Sequence, residues 1–408
     1  MECVRIQRLR NDVKKMYFDI EQMLVKIDNN GMRFNGKFPV NRMLSDGKYS
    51  LVDSGGWLDG FYVGIFNMAY AITKDRKFLK HSQKYDSFIN SRMQCDDEKD
   101  SEKGLIPLGH DIGFLALPTV GLKYSLTKSK KDEELLLKGA DALMRRYNEK
   151  GKFIRAWDAM EGDSPEFAEE KKGKAIIDSM MNLPLLFKAS EITGDESYYN
   201  VAYSHAKTMQ KYILREDFST YHTYNFNPKT GEPIGGKTVQ GYSDCSCWSR
   251  GQSWAVYGFA LAYKYTKEIS FLVSAQKAAM YFMNNLTALD MPCWDFAVKN
   301  ERFAPWDSSA AAICASGLME ISEQLANKSQ KEFYEGQAKR LLNALYNLCS
   351  THNYPSAEPF LLHGCSGPAF KKEGFKEGVI PNADQPMVFG DYFLFEALFR
   401  QHSKLRVF

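Results

Sequence analysis

The stretch "KAIIDSMMNLPLLFKASEIT", residues 174–193, decides the fold. After its first residues it is apolar on every face of the helix that its spacing predicts, and such a helix must be enclosed by other elements. The carboxylate of Asp178 at its beginning is therefore unusual. Pro184 resists the middle of a straight helix, so either the helix kinks or it begins later. In both cases we expect Asp178 in irregular backbone near the centre of the fold.

Five further segments of the same kind occur along the chain. Each opens with a polar or charged residue, continues small and apolar on every face, and ends polar. The six segments are "GWLDGFYVGIFNMAYAIT" from 56, "HDIGFLALPTVGLKYSLT" from 110, "IDSMMNLPLLFKASEIT" from 177, "SRGQSWAVYGFALAYKYT" from 249, "WDSSAAAICASGLMEIS" from 306 and "GDYFLFEALFRQH" from 390. One unit that recurs in this way is typical of a repeat architecture.

Six amphipathic segments separate these apolar ones. They carry apolar residues at spacings of three and four, as expected of helices with one solvent-exposed side. They lie at about 8–27, 75–93, 131–148, 195–214, 268–285 and 331–349. Twelve helices that alternate between outer and inner positions predict an all-α fold, an (α/α)6 toroid of six helical hairpins closed into a double ring.

The domain organisation follows from the same pattern. A ring of hairpins grows by adding neighbours and can remain one unit at this length, and no linker rich in Pro, Gly or Ser divides the chain. We therefore expect a single catalytic domain over residues 1–408, in which residues 1–27 supply the first outer helix.

Loop lengths place the functional site. Connections from an inner helix to the next outer helix are short, such as "TKD" near 73, whereas those from an outer to the next inner helix are long, such as 215–248. Strict alternation puts all the long loops and the inner-helix N-termini on one rim. Long loops are usually functional, and helix N-termini favour anionic groups. The rim is therefore expected to bind an acidic ligand.

The residues predicted on this rim include several carboxylates and aromatic side chains. Helix capping, worth about 1 kcal/mol, is the simpler interpretation of some aspartates, and core packing is the simpler one of each tryptophan. Capping applies to Asp59, Asp307 and Asp391, but less to Asp111 and Asp178, which precede Pro118 and Pro184. The tryptophans at 57, 157, 254 and 294 together suggest sugar-stacking surfaces, and aromatic faces beside carboxylates indicate a carbohydrate site.

Composition excludes several classes of function. The formal net charge of +3 is spread over the chain, so nucleic acid is not an expected partner. No window reaches the roughly 18 apolar residues that a membrane helix needs. The eight cysteines are predicted to be reduced and mostly buried, without a zinc site, which favours the cytoplasm. A periplasmic protein is the alternative if a leader has been removed. The oligomeric state cannot be read from the sequence.

Five segments carry a resemblance to a known family. They are "GWLDGFYVG", "HDIGF", "IIDSMMNLPLLFKASEITGD", "YHTYNFNPKTGE" and "QGYSDCSCWSRGQSWAVYGFALAYKYT". They resemble the unsaturated glucuronyl hydrolases of glycoside hydrolase family 88, from about residue 50 to the end and most specifically from 174 to 267. The resemblance implies an (α/α)6 toroid, no metal or organic cofactor, and an oligosaccharide that ends in an unsaturated uronate as ligand.

The resemblance also implies roles for individual residues. Asp178 matches the catalytic general acid/base, and Asp111 matches a second essential aspartate. The positions that match binding of the unsaturated uronate are His110, His222, Gln240, Arg250 and Trp254. Trp57 and Trp157 match aromatic subsite residues. For Arg250, a bidentate contact with the uronate carboxylate stands beside an ion pair with a rim aspartate such as Asp244.

The chemistry gives these roles a physical reason. A proton added to C4 of the 4,5-unsaturated uronate leaves an oxocarbenium-like centre at C5, where water adds. One carboxyl group can act as acid and then as base if its pKa lies near the working pH. Burial and repulsion by a second carboxylate are expected to raise the pKa of Asp178 in this way.

Three alternatives remain open. An unsaturated rhamnogalacturonyl hydrolase of a related family would use similar chemistry, an inverting glycosidase would place two carboxylates across a cleft, and a sugar-binding toroid would bind without turnover. The S-x-x-S-x-K motif of family members that accept sulfated fragments is absent from "HGCSGPAFKKEGFKEGVIPNADQPMVFGDYF". A preference for sulfated substrates is therefore not predicted, and Lys371 and Lys372 are interpreted as part of a solvated loop.

Overall fold

Inner and outer helices alternate along the chain in the computed structural model, which describes residues 18–94, 108–159, 162–368 and 382–408. In chain order the α-helices are α1 (Ile20–Phe34), α2 (Asp59–Thr73), α3 (Arg76–Gln83), α4 (Asp86–Gln94), α5 (Ile112–Ala116), α6 (Leu122–Thr127), α7 (Lys130–Met144), α8 (Pro165–Lys172), α9 (Leu183–Thr193), α10 (Glu196–Tyr212), α11 (Ser249–Thr266), α12 (Ile269–Asn284), α13 (Ser308–Gln324), α14 (Lys328–Leu348) and α15 (Val388–His402).

The inner helices close into a ring. Helix α2 packs on α5, α5 on α9, α9 on α11, α11 on α13 and α13 on α15, and α15 returns to α2. Helices α11, α13 and α15 are buried on all faces over most of their length, whereas the outer helices α10, α12 and α14 expose one side. The molecule is thus an (α/α)6 toroid, as the alternation of segments predicted.

A repeated turn makes the short connections. At the end of four inner helices, a threonine hydroxyl donates to the carbonyl four residues earlier. The residue after the threonine has a left-handed backbone conformation. The second residue after the threonine donates its N–H to the threonine hydroxyl, and the next outer helix then begins. The threonines are Thr73, Thr127, Thr193 and Thr266, and the left-handed residues are Lys74, Lys128, Gly194 and Lys267. The common turn explains why these connections are equally short.

Three of the six predicted outer helices differ in extent from the observed ones. The first outer helix runs to Phe34, beyond the expected end at 27, because Asn35 is the first left-handed residue (φ 44°); residues 8–17 of that prediction lie outside the described residues. The second outer segment is two helices, α3 and α4. The third ends at Met144, since the chain then enters a short hairpin at Tyr147.

Short strands, none of which was predicted, occupy the long loops. The strands are β1 (Phe38–Met43), β2 (Tyr49–Val52), β3 (Tyr147–Asn148), β4 (Phe153–Ile154), β5 (Lys174–Ile176), β6 (Thr223–Phe226) and β7 (Pro233–Lys237). They form the antiparallel pairs β1–β2 and β3–β4 and the antiparallel sheet β5–β6–β7. The three-stranded sheet matters most for function, because β5 leads directly into Asp178.

Aromatic rings and a buried charge cluster fill the end of the ring opposite the long loops. Arg400 of α15 donates to Glu396 and Glu320 over 2.6 Å and 2.9 Å. The buried ring of Phe408 stacks on Phe393, with centroids 5.9 Å apart. Breaking a buried ion pair usually costs about 3–5 kcal/mol, so this cluster holds the inner helices α13 and α15 together.

Candidate active site

Asp178 lies at the junction between sheet and inner ring. Strand β5 ends at Ile176, a 3-10 helix spans Ile177–Met181, and α9 begins only at Leu183. Pro184 falls in the first turn, where its missing N–H leaves no hydrogen bond unmade. The expectation of a later helix start is confirmed, and Asp178 makes no side-chain cap to α9.

The Asp178 carboxyl is buried, with 12% of its side chain exposed. Its Oδ2 has no hydrogen-bond partner among the described residues. Burial raises the pKa of Asp178 to about 7, whereas the charge of Arg250 and the indole N–H of Trp254 act to lower it. The raised pKa agrees with the prediction, but its cause is mainly desolvation, and the largest effect from a charge is opposite in sign to the predicted repulsion.

His222 faces Asp178 from the sheet. The backbone N–H of Ile177 donates to the His222 carbonyl over 3.1 Å, which sets the imidazole beside the carboxyl, with Nε2 of His222 4.0 Å from Oδ2 of Asp178. The ring packs on Trp248 with centroids 4.3 Å apart. Burial lowers the pKa of His222 to about 3, so the imidazole is neutral.

His110 and Asp111 lie in a 3-10 turn, Gly109–Asp111, before α5. Nδ1 of His110 donates to the Ala156 carbonyl over 2.9 Å, and its Nε2 is 3.1 Å from Oδ1 of Asp111. Burial lowers the pKa of His110 to about 3. Pro118, which resists a regular α-helix, lies in a π-helical segment, Leu117–Gly121, so the irregularity predicted after Asp111 is present.

A glycine contact joins the Asp111 and Asp178 segments. A Cβ built on Gly113 would lie 2.3 Å from Oδ1 of Asn182, and Nδ2 of Asn182 donates to the Asp178 carbonyl over 3.3 Å. Only glycine allows this approach, because real side chains do not come so close. The turn that carries His110 and Asp111 is therefore held directly against the turn that carries Asp178.

Arg250 is bound within the protein. Its Nη1 lies 2.6 Å from Oδ2 of Asp307 and donates to the Cys365 carbonyl over 2.7 Å, and its Nη2 donates to the Ser366 carbonyl over 3.3 Å. The predicted ion pair with a rim aspartate is confirmed, but the aspartate is Asp307 and not the example Asp244, whose carboxylate accepts from the Thr238 N–H and from Lys237. A bidentate contact with a ligand would require Arg250 to release part of this set.

The remaining predicted residues fall into two groups. Trp57 and Trp157 are partly exposed: Trp57 stacks on Phe389 with centroids 5.0 Å apart, and Trp157 meets His110 edge-on. Trp254 and Trp294 are fully buried. Neither presents a face to a sugar, so stacking by these two is wrong; Trp254 instead directs its indole N–H towards Asp178.

Gln240 and the rim aspartates form hydrogen bonds or ion pairs with other residues of the protein. Gln240 donates its side-chain amide to the Ser366 carbonyl over 2.8 Å. Asp307 caps α13 as well as binding Arg250, which confirms the capping interpretation for it. Asp59 and Asp391 lie inside the first turn of their helices and accept from preceding or distant groups, so capping is wrong for both.

Three contributors to the site were missed by sequence reasoning. The Trp248 ring packs against the His222 imidazole and also lies under the Arg250 guanidinium, whose Cζ is 4.5 Å from the Trp248 ring centroid. The carbonyls of Cys365 and Ser366 hold Arg250 and Gln240. Trp248 stands in the quoted segment "CSCWSRGQSW" and could have been found there, whereas main-chain carbonyls leave no signal in a sequence.

The part of the chain that the structure describes contains no candidate metal cluster and no membrane-spanning helix, and its cysteines are mostly buried. No group of three His, Cys, Asp or Glu side chains there could hold a metal ion, and no helix in those ranges is long and apolar enough to cross a membrane. Of the six cysteines within them, Cys245 is exposed and five are buried, so the prediction of mostly buried cysteines is confirmed for this part of the chain.

Comparison with known proteins gives a consistent result. A family model described as Glycosyl Hydrolase Family 88 matches residues 32–374. The unsaturated glucuronyl hydrolase of Bacillus sp. (strain GL1) is 34% identical over 371 residues, which cover 90% of this chain and 92% of that protein. The unsaturated chondroitin disaccharide hydrolase of Streptococcus pyogenes serotype M1 is 33% identical, covering 90% and 86%.

A solved structure agrees with the fold. The crystal structure of the unsaturated glucuronyl hydrolase from Bacillus sp. GL1, described as responsible for the degradation of glycosaminoglycan, superposes with a TM-score of 0.81 at 33% identity. The match covers 94% of this chain and 95% of that one. The likeness therefore includes nearly the whole ring and the rim of long loops.

Proposed function

The chain belongs to glycoside hydrolase family 88, and we propose that it removes the 4,5-unsaturated glucuronate from the non-reducing end of oligosaccharides that polysaccharide lyases release. The names of its relatives supply the substrate class, fragments of chondroitin and related glycosaminoglycans. The rim of the ring supplies a site of matching chemistry, with a buried carboxyl beside neutral hydrogen-bond donors.

The observation that carries this proposal is the state of Asp178. Its pKa, raised to about 7 by burial, leaves the carboxyl partly protonated near neutral pH. An acid with such a pKa can give a proton and take it back in one turnover. Oδ2 is buried and lacks a partner among the described residues, so its hydrogen-bonding capacity is not used within the protein.

We assign both proton transfers to Asp178. The protonated carboxyl gives its proton to C4 of the unsaturated uronate, and positive charge develops between C5 and the ring oxygen. The Asp178 carboxylate then takes a proton from water as the water oxygen bonds to C5. The resulting hemiketal opens, C1 releases the neighbouring sugar as an alcohol, and one water molecule is consumed.

The surrounding residues have distinct roles in this scheme. His222, neutral and close to Asp178, stabilises the carboxylate after it has lost its proton. Arg250 supplies a fixed positive charge that offsets part of the desolvation of Asp178 and attracts the uronate carboxylate. Asp111, whose Oδ1 lies 3.1 Å from Nε2 of His110, binds the hydroxyl groups of the same sugar.

The sugar next to the uronate contacts the outer rim. Trp57 and Trp157 are the partly exposed predicted tryptophans, and exposed indole faces suit the apolar faces of sugar rings. We place the neighbouring sugar between them and the mouth of the pocket.

The test is the loss of ultraviolet absorbance of the conjugated uronate, measured on unsaturated disaccharides from chondroitin, heparin, hyaluronan and rhamnogalacturonan lyases. Wild type should remove the absorbance of the glucuronyl substrates. Asp178→Asn should lower kcat at least about 10³-fold while calorimetry shows that the disaccharide still binds. The exposed-site variant Asp290→Asn is the control and should behave like wild type.

Other outcomes identify the alternatives. Turnover of the rhamnogalacturonan product alone would indicate a rhamnogalacturonyl hydrolase. Cleavage of saturated glycosides with the double bond left intact would indicate an inverting glycosidase. Binding without turnover in wild type would indicate a sugar-binding toroid.

We also propose that the protein acts in the cytoplasm on imported oligosaccharides. The support is the buried thiol set: burial raises the pKa of Cys247 and Cys365 to about 12, which suits a reducing compartment in which these side chains pack as small apolar groups. Fractionation of cells that produce the full-length protein, with activity measured in each fraction, tests this; activity in a periplasmic or culture fraction would contradict it.

A further inference from the structure

The loop 238–241 fixes the protonation of the imidazole that faces Asp178. The main-chain N–H groups of Val239 and Gln240 both donate to Nδ1 of His222, over 3.1 Å and 3.2 Å. A nitrogen that accepts two hydrogen bonds carries no proton. In the neutral ring the proton is therefore on Nε2.

The Nε2–H group lies on the side of the ring that faces Asp178. His222 is 3% exposed, and Nε2 has no hydrogen-bond partner among the described residues. Its nearest carboxylate oxygen is Oδ2 of Asp178, at 4.0 Å, just beyond direct hydrogen-bond distance. A small approach of either side chain makes this a donor to the carboxylate. The opposite tautomer would present a lone pair there and repel it.

The loop is itself held by side chains without another assigned role. The Thr238 N–H donates to Oδ1 of Asp244 over 2.8 Å, the Gly241 N–H donates to Oγ1 of Thr238 over 2.8 Å, and Nε1 of Trp294 donates to the Gln240 carbonyl over 2.8 Å. A Cβ on Gly241 would lie 2.6 Å from Oγ1 of Thr238. Each contact keeps the two N–H groups aimed at His222.

We propose that the loop 238–241 sets the tautomer of His222 and so makes it a hydrogen-bond donor at Asp178, with Thr238, Asp244 and Trp294 as positioning residues. The proposal rests on the function proposed above, because the donor matters when Asp178 has given up its proton. The charged or titratable groups that bear on His222 are Asp178, Arg250, His110 and Lys174. Burial is the largest cause of the lowered pKa of His222 and keeps the ring neutral, so its tautomer decides what it offers to Asp178.

Two measurements test the proposal. Long-range ¹H–¹⁵N spectra of protein labelled at histidine, assigned with His222→Gln, report which ring nitrogen carries the proton. Loss of ultraviolet absorbance on the unsaturated chondroitin disaccharide reports turnover. We expect the Nε2–H tautomer in wild type, a mixture of tautomers in Thr238→Val and Asp244→Ala, and kcat lowered about five- to tenfold in both.

The chain offers matched controls. Thr238→Ser keeps the hydroxyl and should restore both the tautomer and kcat. Thr230→Val makes the same change at the far turn of the β6–β7 hairpin, where Oγ1 of Thr230 also accepts a backbone N–H, that of Glu232, and should change neither. Trp294→Phe tests the third contact; if it fails to fold, the two loop variants still decide.

The outcomes separate this proposal from the proposed function. A proton on Nδ1 of His222 in wild type, or an unchanged tautomer and kcat in both loop variants, overturns the loop's role even if wild type is fully active. Inactive wild type on every unsaturated substrate overturns the proposed function, whatever the tautomer.

Discussion

Arg250 and Asp307 form a buried ion pair, with Nη1 and Oδ2 2.6 Å apart and with 2% and 0% of the side chains exposed. The pair links the N-termini of two neighbouring inner helices, α11 and α13, directly below the rim. Because Arg250 also holds the Cys365 and Ser366 carbonyls, the site and the ring share one set of contacts.

Asp307→Asn should therefore reduce both stability and binding. Removing one charge of a buried pair leaves the other uncompensated, which usually costs about 3–5 kcal/mol. Urea unfolding measures the loss, and KM for the unsaturated disaccharide should rise with it. Asp290→Asn breaks the exposed pair with Arg340 and should cost less than about 1 kcal/mol; equal losses in the two variants would show that Arg250 finds another partner.

Gly113→Ala should lower kcat/KM. The new Cβ would lie 2.3 Å from Oδ1 and 2.9 Å from the Cα of Asn182, so the Asp111 and Asp178 turns must separate. We expect a fall of at least about tenfold in kcat/KM, measured by the absorbance assay. The matched control is Gly336→Ala in α14, where a Cβ meets nothing within 4 Å.

Gly336→Ala should stabilise the protein by about 0.5–1 kcal/mol, because alanine is the better helix former, and should leave kinetics unchanged. If Gly113→Ala behaved in the same way, the two turns would not depend on close contact.

The rate should decline above neutral pH. A general acid must be protonated in the free enzyme, and burial raises the pKa of Asp178 to about 7. kcat/KM should thus fall as pH rises through about 7, with a slope of one proton. The histidines do not titrate in this window, because burial lowers the pKa of His110 and His222 to about 3. A rate that rises from pH 6 to pH 8 would contradict the role of Asp178 as acid.

The raised pKa of Asp178 should also affect the free energy of unfolding. Asp178→Asn, which removes activity, should here increase stability at high pH. The folded-state pKa of Asp178 lies above its unfolded value of 3.8, so the folded form binds the additional proton and loses stability as pH rises from about 4 to about 7. Asn cannot ionise. Relative to wild type, Asp178→Asn should gain up to about 4 kcal/mol between pH 4 and pH 8, measured by urea unfolding at both values.

The gain should be specific to this buried carboxyl. Asp290→Asn should show no comparable change between the two pH values. A constant difference between Asp178→Asn and wild type would mean that the Asp178 pKa is not raised in the folded protein.

The sequence was sufficient for the ring because the ring is made of local patterns. Apolar spacing fixed the inner and outer helices, and the two prolines at 118 and 184 located the irregular backbone at Asp111 and Asp178. The strands of the long loops escaped prediction because they are short and three of their four pairings are small local hairpins. The pairing of β5 with β6 joins segments roughly 50 residues apart, which a periodicity cannot contain.

The site was predicted in its residue types but less well in its contacts. Asp178 lies in the irregular backbone that Pro184 predicted, and the structure brings His222 and His110 close to it. The roles implied for these residues stay predictions. Arg250 pairs with a rim aspartate as predicted, but the sequence could not single out Asp307, because it is 57 residues away and the choice among rim aspartates depends on how α11 packs on α13. Trp254 was predicted to stack on a sugar but is fully buried. Its burial depends on how the inner helices close into the ring, which the sequence of one helix does not show.

The filled end of the ring limits the route by which a ligand reaches Asp178 and leaves it. With Phe408, Phe393 and the Arg400 cluster packed between the inner helices, the described residues fill the end of the ring away from the long loops. Across these residues, the side of the long loops is left as the route by which a ligand reaches Asp178. Under the proposed function, the uronate and the shortened oligosaccharide therefore both leave towards the long loops.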